Sequence, residues 1–104
     1  MDIVQPDAGV MGLTESWYVS RMAHLQGLLC APHCWHGALL AMSNASLAAG
    51  IPNLIMLEVG QTFNPLRTDL LKEPLRIENG YLYLTDKPGF GVEVIDNPEK
   101  KFPY

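Results

Sequence analysis

LLCAPHCWHG, residues 28–37, opens as a short apolar run, meets Pro32, and turns polar at His33 just ahead of a segment rich in alanine and leucine. A brief apolar run bounded in this way reads as a buried parallel strand whose C-terminal end opens into a loop. Chemistry in α/β folds gathers at that end of the strands. The same layout recurs on either side. DIVQP at 2–6 leads into Asp7, and LIMLE at 54–58 ends on Glu58. Three strand-like runs each deliver one ionisable side chain, Asp7, His33 and Glu58, spaced 26 and then 25 residues apart.

The segments between the runs read as helices. Residues 8–13 form a loop in which Gly9 and Gly12 permit a tight turn, and Thr14 is an N-cap with Glu15 suited to the positive end of the helix dipole. That helix runs to about Gln26, with Tyr18, Met22 and Leu25 near helical spacing, and Gly27 ends it. A second helix spans 37–49, with Leu40, Ser43 and Leu47 along one stripe, and stops at Gly50 and Pro52. Strands at 2–5, 28–31 and 54–57 alternating with two helices make two consecutive βαβ units, hence a parallel sheet with right-handed crossovers. An eight-unit barrel averages ~31 residues per unit, so the observed period is compatible with consecutive barrel units.

Beyond Glu58 the character changes. Asn64-Pro65 and Lys72-Glu73-Pro74 punctuate a loop. Residues 75–77 and 81–84 then read as a β-hairpin turning at Glu78-Asn79-Gly80, and the turn at 87–91 leads to a short strand at 92–95. Three parallel strands and two helices cannot cover both faces and both edges of a sheet. The expectation is therefore a portion of a barrel, with about five further strand–helix units preceding Met1, which would then be an internal methionine or a truncated start.

Bulk properties narrow the function. Of 104 residues 48% are hydrophobic and 17% charged, as in an ordinary globular domain. A net charge of −4, with seven scattered basic residues, argues against a nucleic-acid or anionic-membrane surface. No apolar run approaches the ~20 residues that span a bilayer, and no signal-peptide pattern opens the chain. Cys30 and Cys34 lie too far apart along an extended strand for a disulfide, so reduced thiols and a cytoplasmic location are expected. Asn44-Ala45-Ser46 matches a glycosylation sequon but falls inside a predicted helix.

With Asp7, His33 and Glu58 in place, the chain resembles the enolase superfamily, in its mandelate racemase/muconate lactonizing enzyme-like branch. The signatures are VQPDAGVMGLTE (4–15), APHCWHG (31–37), NLIMLE (53–58) and the tail NPLR…EPLRIENGYLYLTDKPGFGVEV, in order and over nearly the whole chain. The glycine loop, Gly-Val-Met-Gly, departs from the commoner Gly-Gly version beside the site. The resemblance implies an α/β fold: residues 1–66 would be the last three strand units of an enolase-type (β/α) TIM-like barrel, and residues 67–104 a C-terminal β-rich hairpin and tail packing back toward a capping domain.

It also implies a reaction, removal of a proton α to a carboxylate to give an enediolate held by Mg²⁺. An imidazole suits that step because its ordinary pKa of ~6.5 lies near working pH. His33 would be the general base, or the acid of a dehydration. Asp7 would orient it, and Glu58 would hydrogen-bond the substrate carboxylate, as the protonated acid. Trp35 and His36 would wall the pocket. The Mg²⁺ ligands and a second acid/base lysine lie on strands not present here. Glu15, Glu73, Glu78 and Asp86 are not at matching positions, so no metal ligand is assigned, and the chain alone is expected to be inactive. The implied substrate is an acid sugar and the leading activity a dehydratase, with a racemase or epimerase as the rival. The partners are the remainder of the barrel and its cap, within a homo-oligomeric parent.

Each residue also has a plainer reading. His33 is a satisfied structural histidine, Asp7 starts a turn after proline, or Glu58 is a solvated strand end. Cys30, His33, Cys34 and His36 invite a metal reading, although no distant second ligand pair accompanies them. A non-catalytic remnant that acts by binding, or by completing a barrel from another chain, is the alternative of a different class.

Overall fold

The computed structural model describes residues 1–103. Its parallel sheet is built around the quoted stretch. β1 (Ile3–Val4) pairs with β2 (Leu29–Cys30), Ile3 opposite Leu29 and Val4 opposite Cys30. The central chain continues as β3 (His33–Cys34), which pairs with β4 (Glu58–Val59), His33 opposite Glu58. Pro32 divides β2 from β3. It has no N–H to give the ladder, and only its carbonyl takes part, accepting from Glu58 N at 3.0 Å. On the other side, Ala31 N donates to Val4 O and His33 N to Pro6 O, each at 3.0 Å. The middle strand therefore reaches further than residue 31, the end expected from the sequence.

The outer strand differs from its expected bounds for a physical reason. Leu54 bridges Cys30, and a regular ladder counted on from there would set Leu57 opposite His33. Instead Glu58 takes that place. Ile55 N donates to Cys30 O and Glu58 N to Pro32 O, so three residue steps on the outer strand match two on the middle one. One extra residue has been inserted at 56–57, a bulge of a kind rare between parallel strands.

Asp7 caps a short helix, α1 (Ala8–Met11), where the sequence predicts a loop. α2 (Leu13–Leu25) and α3 (Ala38–Gly50) follow, each within one residue or so of its expected bounds. Gly27, at φ 72°, turns the chain out of α2. The stripe Tyr18, Met22 and Leu25 lies on the outside of α2, while Ser16, Ser20 and Ala23 face inward. Small residues let the helix sit close on the strands. Ser20 Oγ lies 3.4 Å from Cys30 Sγ, and Asn53 Nδ2 donates to Ser20 O and Leu28 O. α3 is buried nearly all round, and Leu47 and Ile51 pack on Cys30 and Val4.

After α4 (Pro65–Thr68), capped by Asn64, the expected hairpin forms from β5 (Ile77–Glu78) and β6 (Tyr81–Leu82). Asn79 and Gly80 turn it with φ of 52° and 80°, the signature of a two-residue type I′ turn. The strand expected at 92–95 contributes one bridge, Leu71 to Val94. A last short helix, α5 (Pro98–Lys101), follows. Among the described residues no helix is long and apolar enough to cross a membrane. The radius of gyration, 14.2 Å, exceeds the about 13 Å typical of this length. Many large apolar side chains stand exposed, among them Trp17, Leu25, Leu29 and Met56.

Candidate active site

Asp7 is the hub. Its side chain is almost fully buried. The carboxylate divides its work between its oxygens. Oδ1 accepts from Gly9 N at 2.7 Å and from Asn44 Nδ2 at 3.1 Å. Oδ2 lies 2.8 Å from His33 Nδ1 and 2.9 Å from His36 Nε2. Burial by itself would raise the Asp7 carboxyl pKa. Hydrogen bonds from His33, Asn44, the Gly9 N–H and His36 outweigh it and hold the group at about 2. At neutral pH Asp7 is therefore an anion facing two imidazoles. With both rings neutral, each donates the N–H that points at Asp7, which leaves His33 Nε2 with its lone pair.

Asn44 makes this arrangement rigid. It is fully buried in α3. Its Oδ1 accepts from Ala8 N at 2.9 Å, and its Nδ2 donates to Asp7 and to Leu40 O. The amide orientation follows, because only the oxygen can accept the Ala8 N–H. A residue that matched a glycosylation sequon is thus the internal brace of the site. Its signal in the sequence was a lone asparagine inside an alanine–leucine helix, a position where an amide is unfavourable unless it has partners.

Glu58 sits on the neighbouring strand opposite His33. Its Oε2 accepts from Gln5 Nε2 at 2.8 Å and its Oε1 from Trp35 Nε1 at 3.0 Å. The Trp35 ring stacks on His33 with centroids 5.5 Å apart and is largely exposed. Both Glu58 carboxylate oxygens are thus already engaged by donors. His36, expected as pocket wall, is tied to Asp7, with its ring against Gly9. A Cβ on Gly9 would come within 2.8 Å of His36 Cδ2. Arg67, which sequence reasoning registered only within the NPLR signature, fixes the loops around the site. Its guanidinium donates to the carbonyls of His36, Gly60 and Thr62.

The structure thus brings Asp7, His33 and Glu58 together with Trp35 and His36. The cysteines take no part. Cys30 and Cys34 are free and sealed in the interior, where burial pushes both thiols up. Of the Cys–His metal reading only the histidines converge, and with Asp7 they form a group whose donor atoms all lie within 4.8 Å of one another. His24 is exposed on α2.

A parallel sheet carries an Asp–His pair at its strand ends and a glutamate one strand away, and the sequence says to which family such a chain belongs. The chain belongs to the enolase C-terminal domain-like family, which it matches over residues 1–98. It is 34% identical over 103 residues to D-galactarolactone cycloisomerase of Agrobacterium fabrum, covering 90% of this chain and 27% of that protein. It is 33% identical over 97 residues to arabinonate dehydratase of Saccharolobus solfataricus, covering 92% of this chain and 26% of that one. The structure is similar, with a TM-score of 0.82 and 28% identity, to a Burkholderia xenovorans protein named as a candidate L-alanine-DL-glutamate epimerase, whose crystal structure is bound to magnesium and fumarate. That match covers 91% of this chain and 24% of the other. The chain spans about a quarter of the length of the relatives it matches.

Proposed function

We propose that this chain supplies the histidine face of an enolase-superfamily active site acting on a carboxylate substrate, and that it is the C-terminal portion of an acid-sugar dehydratase. The observation that carries the reading is the 2.8 Å contact between His33 Nδ1 and Asp7 Oδ2. Asp7 fixes the tautomer in which Nε2 is free to take a proton, and it stabilises the imidazolium that results. His33 is the group that removes the α-proton, and after taking it up can return it to a departing hydroxyl. Glu58, across the ladder from His33, is placed to bind the substrate carboxylate, and Trp35 covers the pair from the solvent side. A dehydratase is favoured because arabinonate dehydratase is among the relatives. The epimerase name carried by the structural relative keeps racemisation as the alternative.

Magnesium does not fit the residues described here. Mg²⁺ takes a near-octahedral shell of oxygens, and the donor group in this chain is one carboxylate and two imidazoles. We assign its ligands to strands beyond this chain, and no step is derived through it. Exposed large apolar side chains on α2 (Trp17, Met22 and Leu25) and beside the outer strand (Met56) are what a helix and a sheet edge would show where further barrel units pack. Residues 1–66 in this reading are the last three barrel units and residues 67–104 the returning tail.

The test is α-proton exchange in deuterated water with aldonate and aldarate substrates. The longer protein is expected to exchange the proton and lose water, its His33→Asn variant to do neither while still binding Mg²⁺, and the 104-residue chain alone to be inactive. Exchange by the His33→Asn variant would sink the base assignment. Turnover by the chain alone would sink its being a portion. Deuterium at an otherwise unchanged α-carbon would replace the dehydratase with the racemase.

A further inference from the structure

We propose that Asp7, His33 and His36 form a three-ligand binding site for a single divalent cation of the zinc class, with the fourth position open to solvent. The donor atoms are Asp7 Oδ2, His33 Nδ1 and His36 Nε2, and they converge within 4.8 Å. Both nitrogens already lie 2.8 and 2.9 Å from the shared oxygen. Zinc–nitrogen and zinc–oxygen bonds of about 2.0–2.1 Å in a tetrahedron set donor atoms ~3.3 Å apart. Each contact to Asp7 therefore has to open by about half an ångström, and the two nitrogens, within 4.8 Å of each other, have to settle at the same ~3.3 Å spacing. Borderline and softer metals prefer imidazole, whereas Mg²⁺ and Ca²⁺ prefer oxygen shells, so two imidazoles and one carboxylate select for the former.

The surroundings are those of a built ligand set. Asp7 Oδ1 is held by Gly9 N and Asn44 Nδ2, which aims Oδ2 at the two rings. The His36 ring rests against Gly9, where no side chain could fit without displacing it. Each imidazole is about one-third exposed, 35% and 34%, so the rings stand at the surface while Asp7 is buried behind them. Both cysteine thiols are sealed in the interior and do not compete.

Loading the site shifts protons without changing their number. His33 gives its Nδ1 lone pair to the metal, and the proton that Nδ1 carried toward Asp7 moves through solvent to Nε2. His36 likewise binds through Nε2 and carries its proton on Nδ1. The Asp7 hydrogen bonds are exchanged for metal–ligand bonds. His33 Nε2 then carries a proton and has no lone pair, so a loaded site cannot remove a proton from substrate. This inhibitory consequence rests on the function proposed above, whereas the binding does not.

The experiment is a titration of the full chain with Zn²⁺ alone, in the absence of substrate, by calorimetry and by NMR of the histidine rings. One ion per chain is expected. Affinity should fall at least about tenfold in His36→Gln and in Asp7→Asn and stay unchanged in His24→Gln, and Mg²⁺ in large excess should not displace zinc. On the unsubstituted chain, Co²⁺ should shift the ring protons of His33 and His36 and leave those of His24 alone, which needs no variant to fold. Unchanged affinity in His36→Gln, displacement by Mg²⁺, or cobalt shifts centred on His24 or the cysteines would each overturn the site. Zinc binding as expected, with no effect on proton exchange by the longer protein, would overturn the function of His33 and leave the metal site standing.

Discussion

Replacing Asn44 with alanine tests the brace on which the site depends. Asn44 is fully buried, and its amide joins Asp7 Oδ1 to the Ala8 N–H. Alanine removes a hydrogen bond to an ionised carboxylate, worth about 1.5–3 kcal/mol, and strands a buried N–H at about 1–3 kcal/mol. Against this, alanine is the better helix former by up to about 0.7 kcal/mol. The expected destabilisation is ~3 kcal/mol, at the high end for a single substitution. Asp7 also loses one of the bonds that hold its pKa near 2, so its carboxyl should titrate at higher pH in the variant. Urea unfolding at neutral pH measures the first effect, and carbon NMR of the Asp7 carboxyl the second. A loss below ~1 kcal/mol, together with an unmoved Asp7 titration, would show that Asn44 does not brace the site.

Other consequences are open to the same methods. The Asp7 carboxyl is lowered from its ordinary 3.8 to about 2, so its contribution is fully present above pH ~4 and is lost as pH falls toward 2. It amounts to about 2 kcal/mol. The chain should weaken over that window, and Asp7→Asn should flatten the slope; an equally steep slope in the variant would exclude Asp7 as its cause. Gly9→Ala puts a methyl 2.8 Å from His36 Cδ2 and 3.0 Å from Asp7 Oδ1, so the His36–Asp7 bond should loosen more than the His33–Asp7 bond, seen as a larger shift in His36 ring nitrogen signals than in those of His33. On α2, Ser20→Leu overfills a sealed contact and should cost about 1–3 kcal/mol. Leu25→Ser, at a position 75% exposed, should stay within about 0.5 kcal/mol; the reverse order would mean the helix packs through its apolar stripe.

The elements that the sequence made legible were those whose signals are local. Gly27, Gly50 and Pro52 bracket the helices, and Asn79-Gly80 turns the hairpin, because each acts through its own backbone. Asp7, His33 and Glu58 were legible because strand ends recur at a regular spacing. What escaped depended on partners distant in the chain. The Tyr18–Met22–Leu25 stripe faces outward because Ser16, Ser20 and Ala23 allow a closer approach to the strands, and helical periodicity cannot tell a close-packed polar face from a solvated one. Asn44 and Arg67 act on groups 37 and 31 residues away. The attachment of His36 to Asp7 required α1 and the stretch after Pro32 to be placed together.

The extra residue at 56–57 has a geometric consequence for any strand that pairs with the outer one. It lengthens that strand by about 3.3 Å relative to the middle one, so the two cannot run as equal arcs and the ribbon must tilt. Any chain pairing along the free edge at Glu58 and Val59 starts from that offset and passes it on. Stagger that accumulates from strand to strand is what allows a ribbon to meet its own far edge as a cylinder. One inserted residue thus sets the offset presented at that edge, as well as the partner of His33.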